Sequence, residues 1–201
     1  MNCSKKTLTP RIDEKLIDAG GGLATWISHP PLLESIDIVD IRKHEYDTTT
    51  FPDHRITVLV GDGRNLPSAD QSYDIAYSNS VIEHVGSWEE QQLFAREMRR
   101  VGKKLWCQTP AWECPIEPHY MAPFLHWLPR SIQRKIIRPL TPWGWLSKPP
   151  PEHVEFMVST TRLLSYREMK LLFPDCTIIV EKMLWLIPKS YIAVRQKPQE
   201  M

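Results

Sequence analysis

Seven short apolar runs constrain this chain more than any other feature. Five fall in the first 110 residues, at 16–19, 36–39, 56–60, 75–77 and 104–108. Each is too short for a buried helix and lacks the alternation of a half-solvated strand, as expected for strands covered on both faces. Helical signals separate them. Residues 23–28 read as a short helix stopped by Pro30 and Pro31. Residues 88–101 read as an amphipathic helix with Ser87 as N-cap, Glu89 and Glu90 in its first turn, and Arg96, Arg99 and Arg100 near its end. Gly102 is a natural stop. Strands alternating with helices predict an α/β fold with a mostly parallel sheet. A helix over 166–173, capped by Ser165 and ended by Pro174, precedes the last two runs, 177–182 and 191–195. The short link between those runs makes an antiparallel pair, so the last strand is expected to run against the others.

Between these regular parts the texture changes. Residues 111–151 are rich in proline and contain Trp112, Trp127, Trp143 and Trp145, with no acidic residue between Glu117 and Glu152. The expected organisation is one domain over 1–201, with 111–151 as a cap inserted in it. The length of 201 residues and an apolar fraction of 42% support one packed core. The net charge is +1, so no overall positive field calls for nucleic acid. The first fifteen residues lack the apolar stretch of a secretory signal, and no run reaches the ~18 residues of a membrane span. A cytoplasmic location is expected. Cys3, Cys107, Cys114 and Cys176 form no CxxC pair. They read as reduced thiols, and no metal site is expected. Residues 196–201 read as a frayed end.

The turns after the strands carry the chemistry. Asp18 and Ala19 open into Gly20, Gly21 and Gly22, a turn that lets backbone approach a ligand closely. Asp40 ends the second run, 20 residues after Gly20, which suits an acid that accepts ribose hydroxyls. Ile41 follows it along the same wall. Asp62, between Gly61 and Gly63, is placed to accept from an adenine amine. A dinucleotide site normally shows GxGxxG, whereas these glycines are followed by Leu23, Ala24 and Thr25. An acid before the glycines repels a pyrophosphate and suits a cationic, amino-acid-bearing cofactor.

These residues resemble class I S-adenosylmethionine-dependent methyltransferases, in particular the broad type 11 group. The resemblance lies in DAGGG at 18–22, Asp40, the pair Asp62 and Gly63, LPSADQSYD at 66–74, DIAYSNSVIEHV at 74–85, and the closing segment from Leu172 to Val194. It implies a Rossmann-like seven-stranded sheet in the family's order with helices on both faces. It also implies S-adenosylmethionine as cofactor, with Ser78 and Asn79 lining its methionine end. The family often has a glycine where this chain has Ala24. Many members also carry an extra helix before the first strand, where only about fourteen residues stand here.

Three residues are candidates for the base that a protonated acceptor needs. His84 follows the fourth strand, and Glu117 and His119 lie in PIEPHY after the fifth. Packing or turn-stabilising roles are open for all three. In the cap, apolar Phe124, Leu125, Leu128, Ile132, Ile136 and Leu140 interleave with Arg130, Arg134, Lys135 and Arg138. Two readings stay open: a plain cap helix with solvated arginines, or a helix lying in a membrane interface through 124–146. The expected activity is methyl transfer to a small-molecule or lipid-like acceptor, at oxygen. The alternatives are a non-catalytic binding module of the same fold and, less well matched, a nicotinamide oxidoreductase. Oligomeric state and the acceptor are not legible in the sequence.

Overall fold

The structure, a computed structural model, describes residues 8–28, 33–43 and 55–196. Cys3, the Pro30–Pro31 stop and all but the first residue of the 196–201 end lie outside the described residues. The seven expected strands are all present: β1 (Lys15–Ala19), β2 (Ser35–Asp40), β3 (Ile56–Val60), β4 (Tyr73–Asn79), β5 (Gly102–Pro110), β6 (Thr177–Met183) and β7 (Ile187–Arg195). They form one sheet in the order β3-β2-β1-β4-β5-β7-β6. The first five pair in parallel, and β7 runs antiparallel to both β5 and β6.

Both faces of this sheet are apolar, as the continuous runs require. Ile17, Ala76, Leu105, Cys107, Tyr191 and Ala193 point to one side, where α2 (Trp88–Val101) packs Phe94, Met98 and Val101. Leu16, Ile36, Ile38, Ile75, Tyr77 and Trp106 point to the other, against Leu23 and Trp26 of α1 (Leu23–Ile27). The α2 start is a complete capping box. The Ser87 hydroxyl accepts from the Glu90 N–H, and the Glu90 carboxylate accepts from the Ser87 N–H at 2.7 Å. This fixes where α2 begins, and so fixes the loop between β4 and α2.

The Pro/Trp-rich segment folds as three helices over the carboxyl ends of the strands. They are α3 (Arg130–Leu140), α4 (Pro142–Ser147) and α5 (Pro151–Thr160), followed by α6 (Tyr166–Leu172) back in the main fold. Tyr120, Leu125, Ile137, Val154 and Val158 form a separate small core. An Arg134–Glu155 ion pair links α3 to α5. The cap therefore reaches past residue 151, because α5 belongs to it by packing. Proline at the first helical position and Glu152 in the first turn are the local signals for α5. Among the described residues no helix is long and apolar enough to cross a membrane.

Candidate active site

In a parallel sheet the loops after the strands gather at one edge, and here they line two adjoining cavities. The first, of about 370 Å³, is walled by Gly20, Asp40, Ile41, Asp62, Gly63 and His84 among others. The second, of about 740 Å³, lies beneath the cap and is lined by Trp112, Glu117, Tyr120, Arg130 and Thr161 among others. Met157 of α5 borders both. Both volumes fall within the roughly 300–1,000 Å³ usual for small-molecule sites.

The glycine turn fits a closely approached ligand. Gly20 has φ +80°, and a Cβ there would stand 2.4 Å from Val81. A Cβ on Gly21 would stand 1.7 Å from an Asp18 carboxylate oxygen. Both positions therefore demand glycine. Gly22 then starts α1. Asp18 itself is 1% exposed and does not line the cavity. Its Oδ2 accepts from the Trp26 indole N–H at 2.7 Å, while Oδ1 has no hydrogen-bond partner. Burial pushes the Asp18 carboxyl up to about 7, against the opposing pull of the Trp26 bond.

The other expected cofactor contacts divide by exposure. Asp40 lies on the cavity wall, with Oδ1 accepting from the Arg42 N–H at 2.8 Å. Asp62 is also on the wall, but Arg64 already grips it: the guanidinium donates to both carboxylate oxygens at 2.7–2.9 Å. A second ion pair joins Arg64 to Glu90 of α2. Ser78 is fully buried and donates to the Ala19 carbonyl at 3.0 Å, tying β4 to the end of β1. Asn79 is exposed at the strand end.

The three base candidates, 35 positions apart in the chain at their extremes, meet in space. The His84 and His119 rings lie 4.6 Å apart, edge to face. His119 Nδ1 sits 2.6 Å from Glu117 Oε1, and Glu117 Oε2 accepts from the Tyr120 N–H. Glu117 is 1% exposed. His84 Nδ1 is 3.3 Å from the Thr161 hydroxyl, where the chain leaves the cap. Burial drives His84 down to about 4, with the neighbouring His119 adding to the effect. Burial also lowers His119, but the Glu117 hydrogen bond and charge outweigh it, so His119 ends above its ordinary value.

The sequence reading missed Glu83, which completes this group. Its carboxylate is fully buried; one oxygen accepts from Thr109 Oγ1 at 2.9 Å and the other has no partner. Burial pushes Glu83 up to about 7. The signal for it was the VIEHV segment itself: a charged residue directly after an apolar strand and beside a histidine.

Asp18 yields a testable sign. Its folded-state value lies above the unfolded one, so its stabilising contribution is full below about pH 4 and lost as pH rises towards 7. Asp18→Asn keeps an acceptor for Trp26. It is expected to remove up to roughly 1.4 kcal/mol per pH unit from the fall in unfolding free energy across that window. Urea titrations at pH 4, 5, 6 and 7 measure this, and identical slopes in the two proteins would contradict it.

Comparison with known proteins agrees with this geometry. Residues 19–105 match the family model described as a methyltransferase domain. None of the curated proteins compared matches the chain. Among solved structures, the fold resembles the YcgJ protein of Bacillus subtilis, with TM-score 0.59 and 14% identity, covering 96% of this chain and 93% of that one. It also resembles an S-adenosylmethionine-dependent methyltransferase of Methanosarcina mazei, with TM-score 0.53, 16% identity and coverage of 93% of each chain. A third likeness is geranyl diphosphate C-methyltransferase of Streptomyces coelicolor, solved with Mg2+, geranyl diphosphate and S-adenosylhomocysteine. Its TM-score is 0.59 at 14% identity, over 98% of this chain and 77% of that one. The family-model match over residues 19–105 and the shared fold agree with the resemblance to class I, type 11-like methyltransferases and with S-adenosylmethionine as the cofactor that it implies.

Proposed function

We propose that this protein methylates an oxygen of a small or lipid-like acceptor held beneath the cap. The observation that carries this reading is the position of the Glu83, His84, Glu117 and His119 group: His84 lines the cofactor cleft and Glu117 lines the cap cavity. The cofactor supplies a methyl group already activated on a sulfonium. The protein's work is then to align the acceptor, exclude water and deal with the acceptor's proton. Polar groups that straddle the boundary between the two cavities suit a hydroxyl, which must lose a proton. In the cofactor cleft, Gly20, Gly21 and Gly22 admit close backbone approach, and Asp40 and Ile41 form the ribose side. Asp62 and Gly63 form the base side, with Asp62 held in place by Arg64. Ser78 acts from below by fixing the end of β1, and Asn79 faces the methionine end.

The apolar exterior of the cap supports a lipid-like acceptor. Leu140, Trp145 and Leu146 are exposed there. Beside Trp145 runs a groove lined by Arg134, Lys135, Arg138 and Lys148. At the β6–β7 turn, Leu184, Trp185 and Leu186 are also exposed, with Trp185 92% accessible. Basic residues with exposed tryptophan and leucine suit contact with an anionic membrane surface. Geranyl diphosphate, the ligand of the Streptomyces relative, is likewise an apolar chain with an anionic head.

Three measurements test these assignments. Calorimetry is expected to show binding of S-adenosylhomocysteine but not NAD. Asp40→Ala should weaken that binding roughly 10–100-fold, the effect of losing a charge-assisted hydrogen bond. Binding of NAD alone would refute the assignment. With a hydroxyl acceptor, His119→Ala should lower turnover by about 10²-fold or more while cofactor affinity stays within about twofold; unchanged turnover removes His119 from catalysis. Flotation with anionic vesicles should show binding that is lost as salt rises, and no binding at low salt would end the membrane reading.

A further inference from the structure

We infer that Glu83, His84 and His119 form a binding site for one divalent transition-metal ion of the zinc class, at the junction of the two cavities. The inference rests on the proposed role of this group in the acceptor's loss of a proton, which a metal-bound hydroxyl would undergo more readily. Three observations carry it.

The first is convergence. Glu83 Oε1 lies 4.0 Å from His84 Nε2 and 4.0 Å from His119 Nε2, and one ligand atom from each of the three residues falls within 4.8 Å of the other two. Among the described residues this is the one group of three or more histidine, cysteine or acidic side chains so arranged. Metal–ligand bonds of about 2.0–2.2 Å set tetrahedral ligand atoms roughly 3.3–3.6 Å apart. Small rotations of the two rings about their Cα–Cβ bonds close that gap.

The second is the division of labour at each ligand. His119 turns Nδ1 to Glu117 and His84 turns Nδ1 to Thr161, so each ring spends one nitrogen on a fixed partner and presents Nε2 to the centre. A carboxylate on one imidazole nitrogen that directs the other at a metal is the usual outer support of a histidine ligand. Glu83 follows the same rule, with Thr109 on one oxygen and the other directed at the centre.

The third is the unpartnered oxygen. Glu83 is 0% exposed and its Oε1 has no hydrogen-bond partner. A buried acceptor without a donor is rare and costly, and a cation satisfies it. Two imidazoles and one carboxylate select zinc-class ions over Mg2+ or Ca2+, which prefer all-oxygen shells. Three protein ligands leave a fourth coordination position free for an acceptor oxygen.

Untagged protein stripped with a chelator and dialysed, then titrated with Co2+, tests this directly. The expected result is a 1:1 endpoint with visible d–d absorption, abolished by one equivalent of Zn2+. Glu83→Gln and His119→Ala should remove the absorption. Glu117→Gln, which leaves all three ligands in place, should weaken Co2+ binding about 10–100-fold. S-adenosylhomocysteine titration of each protein reports whether it is folded. Wild-type protein that binds S-adenosylhomocysteine but gives no stoichiometric Co2+ absorption overturns the site, as does an unchanged Co2+ titration in His119→Ala. Co2+ binding without S-adenosylhomocysteine binding would keep the metal site and sink the methyl-transfer reading instead.

Discussion

The site depends on how the loop after β4 is held. That loop carries Glu83 and His84, and three different parts of the chain grip it. Thr109 at the end of β5 binds the Glu83 carboxylate. Gln91 of α2 donates through its amide to the carbonyls of both Ile82 and Arg162. The Arg162 N–H donates to the Glu83 carbonyl at 2.7 Å, and Thr161 meets His84. Gln91 is fully buried, and a buried amide that satisfies two carbonyls at once is costly to displace. Sheet, helix and cap are thereby locked to one short segment, and the two cavities acquire a fixed common wall.

This arrangement separates the two tasks of the fold. The first cavity is lined by the turns after β1, β2 and β3, by the loop after β4 and by α5 of the cap. The second cavity lies under the cap, which has its own small core around Ile137 and Val158 and joins the loop after β4 through the 161–162 strap. A cap with its own core can change its lining without disturbing the cofactor turns. Fold therefore says little about the acceptor, and under the proposed function its recognition falls to cavity side chains such as Trp112, Tyr120 and Arg130.

What was legible in the sequence follows from the range of the interactions involved. The strands, α2 and its capping box are written in neighbouring residues, and Ser87 with Glu90 three positions on is a local signal that the structure repeats unchanged. The glycine turn was legible for the same reason. Ser78 shows where the local view stops. Its place at a strand end marks it as a lining residue, but the alternation of β4 turns its hydroxyl inward to Ala19. Asp62 was legible as a wall residue but not as the partner of Arg64, whose second contact is with α2. The helix α5 was missed although Pro151 at its first position and Glu152 in its first turn mark its start. It supplies Met157 and Thr160 to the cofactor cleft, which no local pattern announces.

The Glu83 carboxylate concentrates the energetic question of the whole molecule. A fully buried acid with one unpartnered oxygen loses roughly 1–3 kcal/mol relative to a satisfied one. Rotation of the side chain cannot relieve this, since Thr109 holds the other oxygen. Nor does a neighbouring donor reach it: the Nε2 atoms of His84 and His119 both stop at 4.0 Å. Those two nitrogens make no hydrogen bond among the described residues, while both Nδ1 atoms do. Buried atoms without a partner also occur at Asp18, Trp106, Tyr120, His126 and Arg195, but the Glu83 oxygen faces two imidazole nitrogens between the two cavities. The meeting of these three groups at the boundary of two cavities suits a ligand-binding centre, because a cation that enters there engages all three in one step.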